Sequence, residues 1–152
     1  MLGKLTPDQI ESMLNEEYIG RIGCHAEGKT YVVPVTYAYD GESIFAHSAD
    51  GMKLRMMRAN PSVCFEIDRM TDMANWRSVI CWGEFEELEG NEARRAMAML
   101  MSRLLPVIAS ETATLHGGLG VDEHHLTDVR GRKATAFRIR LKERTGRFES
   151  GK

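Results

Sequence analysis

Ile10, Met13 and Leu14 recur at i, i+3 and i+4 among polar neighbours, the spacing of one helical face. Thr6 precedes them as an N-cap, Pro7 suits the first helical position, and Gln9 closes a capping box. The helix should end near residues 15–17. The period then changes. Residues 18–25 are a short β run with two glycines, and 26–29 (Ala-Glu-Gly-Lys) read as a turn. Residues 30–39, TYVVPVTYAY, are rich in β-branched and aromatic side chains and read as a second strand. Asp40-Gly41 is the strongest hairpin signal, and Ser43 to His47 continue as a third strand. Pro34 cannot donate to a ladder, so it marks an edge, a bulge or a ligand-facing position.

Residues 51–60, GMKLRMMRAN, read as a short helix stopped by Asn60-Pro61. Residues 62–68 are a strand, 69–75 a loop, and 76–88 a long strand whose alternation is clear late in its run. Residues 91–105 are a helix rich in Ala, Met and Leu, closed by Pro106. Residues 106–133 are polar and Gly-rich with no clear period, and 134–142 form a last strand. The order is α-β-β-β-α-β-β-α-loop-β. Strands that follow one another through hairpins argue for a mainly β, antiparallel barrel with helices outside, and against a doubly wound parallel sheet.

Composition narrows the picture. The chain has 152 residues, 43% hydrophobic and 28% charged, which suits one globular domain over residues 1–152. Its formal charge of −2 gives no polycationic face, so nucleic acid and membrane surfaces are not expected partners. Cys24, Cys64 and Cys81 are odd in number and widely spaced, neither a disulfide framework nor a zinc pattern. No apolar leader or 18-residue apolar run occurs, which leads us to expect a soluble, cytoplasmic protein.

No GxGxxG, Walker A, HExxH or GxSxG motif occurs. The informative stretch is Tyr31 to Lys53. There a β-hairpin ends in a small polar turn, His47 to Gly51, and a lysine opens a helix. Helix-start N–H groups favour an anion and Lys53 adds a full charge, so this is a candidate phosphate site; the alternative is an ordinary turn with a solvated lysine. His47 and Ser48 can donate hydrogen bonds beside it.

Five segments in this order resemble the flavin-binding split-barrel superfamily that includes pyridoxamine 5′-phosphate oxidase, and more closely its Nim-type, nitroimidazole-resistance-like branch. They are Gly20-Arg21-Ile22-Gly23, then Tyr31-Val32-Val33-Pro34-Val35, then Ile44 to Ser48 running on to Gly51-Met52-Lys53-Leu54, then residues 60–66, and Trp76-Arg77-Ser78-Val79 with Gly83-Glu84. The resemblance implies a six- or seven-stranded split barrel holding FMN at a homodimer interface. By position, Lys53 would meet the FMN phosphate, and His47 and Ser48 the phosphate and ribityl end. Val32, Val33, Pro34, Val35 and Thr36 would run along the isoalloxazine ring. Trp76, Arg77 and Ser78 would approach from a neighbouring strand or the other subunit. The implied activity is FMN-dependent oxidoreduction of a small molecule. The alternatives are a non-catalytic flavin or haem binder, or a relative with a decayed pocket. The pattern also departs from that of pyridoxamine-phosphate oxidases. Met52 stands where they carry the arginine of an Arg-Lys pair, and their C-terminal tryptophan and arginine have no match in residues 134–152, which argues against pyridoxamine phosphate as substrate.

The remaining candidates are weaker. Cys24-His25, and His124-His125 beside Asp122 and Glu123, read as ordinary core and loop residues rather than metal ligands. Residues 116–118 read as either a lid or simple disorder. Met97, Leu100, Met101 and Leu104 fall at helical spacing, as core or dimer contact. Lys53 is expected at the surface of its helix start.

Overall fold

Thr6 caps the first helix in the computed structural model, which describes residues 1–108, 120–122, 125–127 and 133–151. A short strand, β1 (Leu2–Lys4), comes first, and α1 (Pro7–Glu16) follows. The Thr6 hydroxyl accepts from the Gln9 N–H at 3.2 Å, and the Gln9 side chain accepts from the Thr6 N–H at 2.9 Å. This is the expected capping box, and α1 buries Ile10, Met13 and Leu14.

β2 (Ile19–Ala26) and β3 (Lys29–Thr36) form a hairpin through Glu27 and Gly28, both at positive φ (53° and 77°). Two consecutive left-handed residues match the right-handed twist of the flanking strands. The strand expected over 30–39 breaks at Tyr37. Its ring is buried, its N–H donates to the Tyr18 carbonyl at 3.1 Å, and its hydroxyl donates to the Leu14 carbonyl at 2.8 Å. Beyond it, β4 (Ala38–Tyr39) pairs with β5 (Ser43–Ala49) across the Asp40-Gly41 turn, where Asp40 Oδ1 accepts from the Glu42 and Ser43 N–H groups.

α2 (Met52–Ala59) leads to β6 (Ser62–Asp72) and β7 (Asn75–Glu87). The loop expected over 69–75 is instead the end of a long hairpin, paired from Ser62–Glu84 out to Asp72–Asn75. Its outer arms lie beyond the core and carry no apolar alternation; Met70 is exposed there and Met73, in the turn, is more so. α3 (Gly90–Ile108) runs through Pro106, which sits in its last turn rather than ending it. Within the region read as a loop, β8 (Gly120–Asp122) pairs with β9 (His125–Thr127). The lid reading of 116–118 falls outside the described residues. β10 (Ala134–Ser150) runs eight residues past the expected end, because its second half pairs with β7 and β1.

The main sheet has eight antiparallel strands in the order β3-β2-β6-β7-β10-β5-β4, with β1 beside β10. β3 and β4 are consecutive in the chain yet form the two edges of this order. The sheet therefore curls round until its edges meet at Tyr37 without pairing, which is a split barrel. The eighth strand and the break at Tyr37 account for the difference from the expected six or seven. Inside lie Ile22, Phe65, Ile67, Val79, Phe137 and Ile139, all fully buried. Each such side chain contributes about 1.5–3 kcal/mol. A second cluster fills the space under α3, with Phe45, Leu88, Met97, Leu100 and Leu104, so the helical methionine–leucine stripe is mainly core. Among the described residues no helix is long and apolar enough to cross a membrane.

Candidate functional site

Gly51 starts α2 without a side-chain cap, at a fully extended φ of −179°. The first N–H groups of the helix therefore lack the partner that Thr6 gives α1. Lys53 sits in this first turn and is half-buried, not at the surface as the sequence suggested. Burial pushes its ammonium pKa below the usual lysine value; the nearby Cys24 thiol pulls it back up to a lesser degree. Cys24 lies inside β2 and donates to the Tyr31 carbonyl at 3.7 Å, and burial raises its own pKa. Among the described residues, no carboxylate pairs with Lys53. Arg58, in the last turn of α2, is by contrast neutralised by Asp50 at 3.1 Å and by Glu87.

A half-buried ammonium without a counter-ion is unfavourable in an empty site and favourable against an anion. Beside it, between α2 and the β2–β3 turn, runs a groove of about 240 Å³ lined by Ala26, Glu27, Lys29, Met52, Arg55 and Met56. Lys29, Arg55 and Glu27 make no ion pair with described residues.

The five β3 residues divide by alternation. Val32 and Pro34 face outward and are exposed, whereas Val33 packs against the barrel core and Val35 is buried in it. Thr36 is buried at the strand end. Because β3 is an edge, its unpaired backbone groups are available to a ligand. Pro34 on that edge is one of the outcomes its position predicts. His47 and Ser48 are both buried and lie on opposite faces of β5. His47 stands opposite Ala136, of the cluster under α3, while the Ser48 hydroxyl donates to the Ala49 carbonyl at 2.8 Å.

Trp76, Arg77 and Ser78 are elsewhere. Arg77 is opposite Phe148 on β10, whereas His47 is opposite Ala136. Twelve positions of strand separate the two, about 40 Å of contour at 3.3 Å per residue. The Trp76 indole donates to Glu149 at 3.1 Å. Trp76 and Arg77 line a second groove, of about 280 Å³, with Arg69, Thr71, Phe148 and Glu149. Within one chain, His47 and Ser48 thus lie at one end of β10 and Trp76, Arg77 and Ser78 at the other.

The outer face of β3-β2-β6-β7 carries a feature that sequence reading missed. Register places Val32, Gly23, Cys64 and Trp82 in one row and Pro34, Arg21, Glu66 and Ile80 in the next. Val32 is 62% exposed, Trp82 41% and Ile80 37%. The alternation of β7 carried this signal, with Ile80 and Trp82 on the face opposite Val79 and Cys81.

The open antiparallel barrel is the split barrel that the sequence resemblance implied. A FAD-binding protein of Mesorhizobium loti superposes with a TM-score of 0.76 over 99% of both chains, at 26% identity. A candidate 5-nitroimidazole antibiotic resistance protein of Bacteroides thetaiotaomicron shares the fold at a TM-score of 0.71, covering 97% of this chain and 87% of its own, at 20% identity. The chain belongs to the pyridoxamine 5′-phosphate oxidase family, whose sequence pattern matches residues 6–148. An uncharacterised protein of Rhizobium meliloti is 32% identical over 74 residues, so this chain spans about half the length (49%) of that curated relative.

Proposed function

We propose that this protein is a flavin-dependent oxidoreductase acting on a small molecule as a homodimer. The carrying observation is Lys53, half-buried at the uncapped start of α2 with no carboxylate partner among the described residues. A flavin needs an anion site, an apolar shelf and a few fixed polar atoms. Lys53 and the α2 N–H groups supply the first, the exposed Val32 and Pro34 the second, and the open edge of β3 the third. The relatives point the same way, one of them being described as FAD-binding. A bound flavin would supply two-electron redox chemistry; the chain's part is to hold the phosphate, fix the ring edge and exclude water. His47 and Ser48 are assigned to the phosphate and ribityl end, and Val32 to Thr36 to the ring.

The separation of His47 and Ser48 from Arg77 along β10 supports the homodimer reading. In this reading a partner subunit brings its own Trp76, Arg77 and Ser78 to the Lys53 site. The exposed rows around Val32, Ile80 and Trp82 provide an apolar surface for that contact. Arg77, exposed and outside any ion pair among the described residues, would then face an anionic or nitro-bearing substrate. We place the protein in the cytoplasm. The visible spectrum of the purified protein tests the cofactor: a flavin band supports the assignment, and a Soret band, or no chromophore even after incubation with FMN and FAD, contradicts it.

A further inference from the structure

We infer that the outer face of β2, β6 and β7 meets a second copy of this chain through a contact that takes up protons, one on each Arg21–Glu66–Asp68 trio, so that the dimer tightens as pH falls. The inference rests on the homodimer reading above and adds its regulation. Register sets Glu66 at the centre of this face, with Arg21 of β2 on one side and Ile80 of β7 on the other. Along β6 its outward neighbours are Cys64 and Asp68, and along β7 Ile80 is flanked by Ser78 and Trp82. Ile80 beside Glu66 and Trp82 diagonal to it are exposed apolar side chains, so a partner that covers them also covers Glu66.

Charge counting decides which form can be covered. A single guanidinium nitrogen, Arg21 Nη1, serves both carboxylates, at 3.4 Å from Glu66 and 2.9 Å from Asp68. Among the described residues, Arg21 is the only ion-pair partner of either. Two carboxylates against one cation leave one negative charge in excess. In water that surplus costs little, but beneath a protein contact an unpaired charge is unfavourable. β7 offers no compensation, because Ser78, Ile80 and Trp82 carry no charge. His25 lies two outward positions beyond Arg21 on β2. Farther out, Glu84 is paired with Lys142 at 3.0 Å, and Arg147 stands opposite Ser78 on β10. One proton makes the trio neutral. An isologous contact carries two such trios, so both surpluses are buried together unless both are protonated.

Glu66 is the member that holds the proton. It is half-buried, whereas Asp68 and Arg21 are exposed. Burial first, then the Asp68 carboxylate, push its pKa up to about 7 against the pull of Arg21. Covering the trio raises it further, because desolvation disfavours the charged form. Near and above that value the dimer therefore binds more protons than two separate chains, and its dissociation constant grows as pH rises.

Analytical ultracentrifugation of the full chain at constant ionic strength tests this. The dimer dissociation constant should rise about ten- to hundredfold from about pH 6 to about pH 8. Glu66→Gln removes the titrating group, and Asp68→Asn leaves one carboxylate for one guanidinium. Both variants should remain dimeric and lose the pH dependence, with circular dichroism checking that the fold is intact. A parent dimer of constant affinity over this range overturns the proton uptake while the homodimer reading stands. So does one that tightens as pH rises, because a cation of the second copy would then meet the carboxylates. Variants that keep the parent's pH dependence also overturn it, since another group such as His25 would then be the one titrating. If the parent is monomeric at every pH, both readings fall.

Discussion

Lys53 shows how far a single residue can be read. Its place at a helix start beside a polar turn is plain in the sequence, because Gly51 and the apolar spacing of Leu54, Met57 and Met56 mark the helix. Its burial is not, because that depends on the packing of α2 against β2, whose Cys24 lies 29 positions away. The burial has a thermodynamic consequence. With its pKa lowered in the folded state, Lys53 binds fewer protons folded than unfolded between that lowered value and 10.5. Stability of the flavin-free protein should therefore gain from this group as pH rises through that window, and lose it as pH falls. Lys53→Met should remove this dependence, as urea unfolding at a series of pH values would show; an unchanged slope would contradict the burial. Glu27 offers a second residue-scale test. Asparagine tolerates positive φ better, so Glu27→Asn should stabilise the protein by about 1 kcal/mol in thermal unfolding. A loss of stability would mean that the glutamate side chain makes contacts that outweigh the strain.

At the scale of elements, legibility follows the core. The α1 capping box, the Asp40-Gly41 turn and the α3 stripe were readable because local chemistry and burial agree there. The outer arms of β6 and β7 read as a loop because Met70 and its neighbours are exposed, and only their pairing makes them strands. The second half of β10 was missed for the same reason. On the outer face of this hairpin, Glu66 and Asp68 share Arg21, at 3.4 Å and 2.9 Å. Partial burial, then the Asp68 carboxylate, push the Glu66 pKa up to about 7, against the opposing pull of Arg21. The folded protein thus holds a proton that the unfolded chain releases near 4.5. Stability should fall from this source as pH rises from about 4.5 to 7, and Glu66→Gln should flatten that decline. A variant with the same pH profile as the parent would show that Glu66 ionises normally.

For the whole molecule, the sequence led to the fold class, while the separation of His47 and Ser48 from Trp76, Arg77 and Ser78 along β10 emerged only from long-range register. The proposed sharing of the site between two subunits makes assembly part of function. Light scattering should give twice the chain mass of 17.1 kDa, and Trp82→Glu, which puts a charge into the exposed apolar row, should give the monomer with weaker flavin binding. A parent protein that is monomeric at micromolar concentration would contradict the shared site. The most direct test of the flavin site itself is titration of flavin-free protein with FMN, parent against Lys53→Ala. A charge-assisted contact contributes about 1.5–3 kcal/mol, so affinity should drop roughly ten- to hundredfold with the circular dichroism spectrum unchanged. Lys53→Arg should retain much of the binding. Equal affinity in parent and Lys53→Ala would contradict the assignment, because the phosphate would then be held elsewhere.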